Sequence, residues 1–317
     1  MKRALLAGID SYEAFDDLQG CVNDVEALTP LLRRQEDDTP NFQCLARTSV
    51  PEEVTRDALL ADLDVLLATP ADVALFYFAG HGTQVGTDVA LTTHDGTAAT
   101  PGITMAEVLT KVATSPVTEI VIMLDCCFSG AAGAIPQLGV TAAALREGVS
   151  ILTASRSEEM AAETEVGRGA FSTFLEGGLA GGAADTLGKV TIAGLYSYLD
   201  EAFGAWDQRP LFKAHVSRLI PLRIAEPPIE VDVLRKLKEW FPHPDYDFPL
   251  DPSYEPEEDP QDPDHQAIFA GLQKCRAARL VVPIDEDHMF FAAMNSTGCR
   301  LTPLGRLYWK QVDEDRL

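Results

Sequence analysis

The chain has 317 residues, 49 of them acidic and 25 basic, for a formal net charge of −24. So acidic a surface repels nucleic acid and anionic membrane; it favours basic partners, or else it serves solubility in a salt-rich habitat. With 46 % hydrophobic residues the composition is that of a soluble globular protein, long enough for one large domain and a smaller one.

The first ten residues, interrupted at Asp10, are too short for a signal peptide. No apolar run approaches the roughly 18 residues needed to span a bilayer. The six cysteines form neither a disulfide framework nor paired zinc spacing. A reduced, cytoplasmic setting is the expectation.

Strand-like apolar runs alternate with helical patterns up to about residue 225. Residues 3–9 read as a strand. A helix over 25–35 follows, with Asn23 or Asp24 as its cap and a kink or restart at Pro30. Residues 42–47 form a short strand and 51–67 a helix. A long apolar run over 74–82 ends on His81, and 88–92 is a further strand before a helix near 105–113. The run 119–130 ends on Asp125, Cys126 and Cys127; 149–154 is another buried strand. Helices over 171–179 and 192–203 and a strand over 212–222 close the pattern, which predicts a mostly parallel sheet with helices on both faces. Residues 131–148, rich in Ala and Gly, make a long connection. Residues 226–264, dense in proline and acid, read as a tether without a core. In the tail, 265–317, a helix, two strands joined by a turn at 295–298 and a closing helix predict a small winged-helix-like module. That tail and the preceding segment, 227–317, hold 18 acidic and 10 basic residues, which argues against DNA and for a regulatory protein partner.

The chemistry concentrates in two blocks. Were the strands ending at His81 and Cys127 to lie near each other, an imidazole and a thiol would meet at the carboxyl edge of the sheet, where catalytic groups of open α/β folds collect. A thiolate beside a histidine is an activated nucleophile, so the chain reads as a cysteine hydrolase. Strand alternation puts Asp125 and Cys127 on one face and Cys126 on the other, making Cys126 a buried, inert thiol. A carboxylate sharing the face of the nucleophile is costly to desolvate unless a cation arrives, and a substrate arginine or lysine is such a cation.

The blocks Gly8-Ile9-Asp10, Gly20-Cys21-Val22-Asn23-Asp24, Phe78-Ala79-Gly80-His81-Gly82 and Asp125-Cys126-Cys127-Phe128-Ser129-Gly130, with a weaker one at Gly167-Arg168-Gly169-Ala170-Phe171-Ser172, resemble the caspase superfamily of peptidases (clan CD, family C14). Within it, the metacaspase-like and bacterial caspase-like members are the nearest in pattern. The resemblance implies an α/β caspase–hemoglobinase fold over 1–225, with a mostly parallel six-stranded sheet flanked by helices. It makes Cys127 the nucleophile, His81 the general base or acid, and the backbone N–H groups of Gly82 and Cys127 the oxyanion hole. Asp24 and Asp125 would line an acidic S1 pocket with Cys21 on its wall, selecting protein substrates with a basic P1 residue; for Asp24 helix capping is the competing role, and for Cys21 plain packing. Phe128 stands where metacaspases commonly have histidine, and Ala79 where some relatives have serine.

Arg146, the only basic residue of 131–148, is a candidate processing site, against the alternative of an uncut surface loop. No motif implies a cofactor, and calcium activation is left open without one. The implied activity is a regulated cysteine endopeptidase cleaving after Arg or Lys in bacterial defence or programmed death. The alternative is a catalytically silent caspase-fold scaffold that recruits partners through its C-terminal module.

Overall fold

A computed structural model describes residues 1–49, 52–129, 145–154, 168–203, 210–256 and 262–317, and of 127–129 the backbone. Contacts divide the chain into two units, one of Met1–Asp185 and Lys189–Glu226, the other of Thr186–Gly188 and Pro227–Leu317.

The larger unit is built on β1 (Lys2–Gly8), β2 (Phe42–Thr48), β3 (Val73–Val85), β6 (Glu119–Ser129), β7 (Val149–Thr153) and β8 (Leu211–His215), in the order β2-β1-β3-β6-β7-β8. All neighbours on this path are parallel except β7 and β8. The long β3 continues past the parallel core to pair antiparallel with β4 (Asp88–Thr92), which pairs with β5 (Gly102–Thr104), so the sheet has eight strands. The central strands are continuous apolar runs because both faces are covered. Alternation sorts them: Ala74, Phe76, Phe78, Ile120, Ile122 and Leu124 pack under α2 (Arg56–Leu67) and α3 (Met105–Thr114). Val73, Leu75, Tyr77, Val121 and Met123 pack under α1 (Cys21–Arg33), α4 (Ala170–Gly177) and α5 (Ile192–Phe203).

Helix α1 departs from expectation in two ways. It begins at Cys21 and runs through Pro30 without a restart. Pro30 is tolerated because it and Glu26, whose carbonyl loses its partner, are both exposed, so water can serve that carbonyl. Nor does Asp24 cap the helix. The carboxylate of Asp10 accepts hydrogen bonds from the N–H groups of Cys21 (2.9 Å) and Val22 (3.4 Å), capping α1 from the end of β1.

The smaller unit corrects the reading of a tether. Residues 229–254 carry α6 (Val231–Arg235), α7 (Leu237–Trp240), the short strand Asp247–Phe248 and a 3₁₀ turn Pro252–Tyr254. Ile229, Leu234, Leu237, Trp240, Phe241, Leu250 and Tyr254 share one core with Phe269, Leu272, Leu280, Val281 and Tyr308 of the tail. The tail also differs from a helix, hairpin and helix. Its order is α8 (Pro263–Ala277), a strand Val281–Pro283, α9 (Met289–Met294), a strand Cys299–Leu301 and α10 (Pro303–Asp313). The residues expected as the first arm of a hairpin are helical because Met289, Ala292 and Ala293 point into the core at helical spacing, while Phe290 and Phe291 stay exposed. The winged-helix likeness rested on that hairpin and goes with it.

Candidate active site

His81 and Cys127 lie on adjacent parallel strands at the carboxyl end of the sheet. The register pairs Ala79 with Asp125 and His81 with Cys127 across β3 and β6. Neighbouring strands run about 5 Å apart, so the sheet alone sets the two positions side by side.

The imidazole is held by the loop between β1 and α1. Its Nε2 lies 2.8 Å from the backbone oxygen of Asp16. A carbonyl only accepts, so in the neutral ring Nε2 carries the hydrogen and Nδ1 keeps the lone pair. The Tyr12 hydroxyl accepts from the His81 N–H (2.9 Å) and donates to the Ile9 oxygen (3.0 Å). Its ring lies 4.8 Å from the imidazole centroid, and Phe15 stands 6.4 Å away. Gly80 makes room for this arrangement: a Cβ there would sit 2.8 Å from the Tyr12 hydroxyl and 3.0 Å from the Phe78 ring. A side chain at that position would push Tyr12 off the strand.

Beside this pair two buried carboxylates converge. Gly8 lets α1 close on the end of β1, since a Cβ there would lie 2.3 Å from the Cys21 oxygen. The approach carries Asp24, in the first turn of α1, to only 2 % exposure, with Asp125 at 5 %. Asp125 accepts a short hydrogen bond from the Ser172 hydroxyl, which leaves Ser172 to accept from Tyr77 at 2.6 Å. Asp24 accepts from Arg168 Nε at 3.0 Å, and a second nitrogen of the same guanidinium donates to Glu176. Burial, reinforced by repulsion from Asp125, raises the Asp24 pKa to about 6 even though Arg168 and the Gly169 N–H pull it down. Burial and then the carboxylates of Asp10, Asp125 and Asp24 push the Cys21 thiol far up, so Cys21 stays protonated and lacks the thiolate a nucleophile needs.

The caspase-domain model of peptidase family C14 matches residues 1–215. The chain belongs to the caspase-domain family. Solved structures with this fold include caspase-1 from Spodoptera frugiperda, which matches with a TM-score of 0.50 at 12 % identity, over 70 % of this chain and 91 % of that one. At that identity the match speaks for the fold. No curated protein is detectably similar in sequence. Membership makes cysteine peptidase chemistry the general activity of the caspase domain.

Within the caspase domain, Cys126 is packed in the core at 1 % exposure beside Leu124 and Ile122, as alternation requires. Gly82 follows His81 on β3, opposite Phe128 and Leu91. Arg146 is engaged where it stands. Its guanidinium donates to the backbone oxygens of Val112 (3.0 Å), Glu147 (2.9 Å) and Val117 (2.6 Å), tying the chain to the end of α3. For Arg146 to enter a protease's P1 pocket its side chain would first have to leave these three bonds. The rest of the expected linker, 131–144, and Gly167 lie outside the described residues.

Sequence reasoning missed Tyr12, Asp16, Tyr77 and Glu176, and gave Arg168 and Ser172 only as part of a weak motif. Among the described residues no group of three or more His, Cys, Asp and Glu side chains could hold a metal ion, and no helix is long and apolar enough to cross a membrane.

Proposed function

We propose that this caspase domain is a cysteine endopeptidase that cleaves proteins after arginine or lysine. Cys127 attacks the scissile carbonyl, and its proton passes to Nδ1 of His81 and on to the leaving amine. Water then hydrolyses the thioester by the reverse route. The N–H groups of Gly82 and Cys127 donate to the oxyanion. The carboxylates of Asp24 and Asp125 receive the P1 side chain.

The observation that carries this reading is the register Ala79–Asp125 and His81–Cys127, which sets a buried carboxylate two residues before the nucleophile. A buried anion of this kind is stabilised by a fixed cation, and a guanidinium is the cation whose fork matches a carboxylate. Arginine chemistry suits the site already, since Arg168 is paired with Asp24.

A fluorogenic peptide series differing only at P1 tests the assignment. Arg and Lys peptides should turn over at least about 100-fold faster than the Asp peptide, because an acidic P1 would meet two buried like charges. Faster cleavage of the Asp peptide overturns the pocket assignment. Absence of turnover with every peptide, joined to absence of active-site labelling, favours the silent scaffold.

A further inference from the structure

The acidic pocket holds a cation that belongs to the chain itself. Arg168 lies two residues before α4 and reaches back across 144 residues to Asp24, with its Nε 3.0 Å from the carboxylate and its side chain 17 % exposed. Helix α4 supplies Ser172 to Asp125 and Glu176 to Arg168. A guanidinium from the segment leading into α4 therefore sits on one of the two carboxylates that a basic P1 residue would need.

We propose, on the reading of Asp24 and Asp125 as the P1 pocket, that Arg168 is a built-in occupant which an incoming arginine or lysine displaces, and that it sets the affinity of the enzyme for substrate. Two features make the displacement feasible. Glu176, the other carboxylate on Arg168, is 38 % exposed, so the guanidinium keeps a partner at the pocket rim when it leaves Asp24. Asp125 is held by Ser172 and Tyr77, so the second carboxylate stays in place while Arg168 moves. A ligand that binds only the Arg168-out state has its affinity reduced by the fraction of time the pocket is open. Removing Arg168 removes that reduction for every pocket ligand alike.

The test measures binding rather than turnover. Nα-acetyl-arginine amide, whose only charge is its guanidinium, is titrated calorimetrically into the full chain carrying Cys127→Ala, with and without Arg168→Gln or Arg168→Lys. Arg168→Gln should bind about tenfold or more tightly than the parent, with Arg168→Lys close to the parent. Equal or weaker binding by Arg168→Gln, accompanied by a lower Tm, identifies Arg168 as a strut that holds Asp24 and overturns the proposal while leaving the P1 pocket standing. Absence of binding to all three proteins removes the pocket reading and the proposal together. Should Arg168→Gln fail to fold, Glu176→Gln supplies the same test with opposite sign: losing its rim partner, Arg168 rests longer on Asp24, and the arginine amide should bind several-fold more weakly. Unchanged binding by Glu176→Gln overturns the proposal.

Discussion

Cys127→Ala should lower turnover of an Arg-P1 peptide by at least about 10³-fold, whereas Cys126→Ala should keep it within about tenfold of wild type. The two thiols are adjacent in sequence, and only their places on β6 separate them. Cys126 packs at 1 % exposure among Leu124, Ile122 and their neighbours, where no substrate reaches it. Its loss should appear as stability, with about 1–2 kcal/mol and a few degrees of Tm gone from a core position. Steady-state kinetics and a thermal melt on both variants separate the roles. A Cys126→Ala enzyme that is dead but folded, or a Cys127→Ala enzyme that still turns over, contradicts the assignment.

Asp125→Asn should cost about 10²–10³-fold in kcat/KM for Arg-P1 peptides, the usual loss when a buried charge pair loses one partner. Asparagine still accepts from Ser172, so the Tyr77–Ser172 chain survives and the fold should lose little. The same pocket predicts a pH dependence through Asp24. Its pKa is raised to about 6, so the carboxylate is neutralised as pH falls below that value, and the pocket then attracts a cation less. KM for Arg peptides should rise as pH falls through about 6, and Asp24→Asn should have a high KM at neutral pH and no such rise. A KM that is flat between pH 5 and 8 in wild type contradicts the role given to Asp24.

The placement of His81 and Cys127 was legible because it depends on local pattern plus one rule. Two apolar runs long enough to be central strands, each ending on a chemical residue, need only lie side by side in a parallel sheet. Alternation within β6 then separates Asp125 from Cys126, and that too is local. The contacts that complete the site are of another kind. Tyr12 and Asp16 reach His81 from an irregular loop whose path depends on the missing Cβ of Gly80, and Arg168 meets Asp24 across 144 residues. No periodicity encodes either meeting.

Asp24 illustrates how a short-range rule misleads. An Asp near a helix start suggests a cap, yet the cap comes from Asp10, two residues beyond the preceding strand, and α1 starts one turn earlier than the apolar periodicity indicates. In the C-terminal unit, composition masked pattern. Proline and acid dominate 242–264, but Leu234, Leu237, Trp240 and Phe241 recur at helical spacing just before them and are buried. Weighting those positions above the bulk composition would have found the core.

Treatment of the full chain with an arginine-based acyloxymethyl ketone, followed by peptide mapping by mass spectrometry, tests the central claim most directly. The ketone alkylates only a thiolate that sits beside a base and a pocket for arginine, the sulfur displacing the reagent's carboxylate to form a thioether. The account predicts a single label on Cys127, lost in His81→Ala and in Asp125→Asn, and absent with the corresponding aspartyl reagent. A label on Cys126 or Cys21, or equal labelling of Cys127 by the aspartyl reagent, would contradict it.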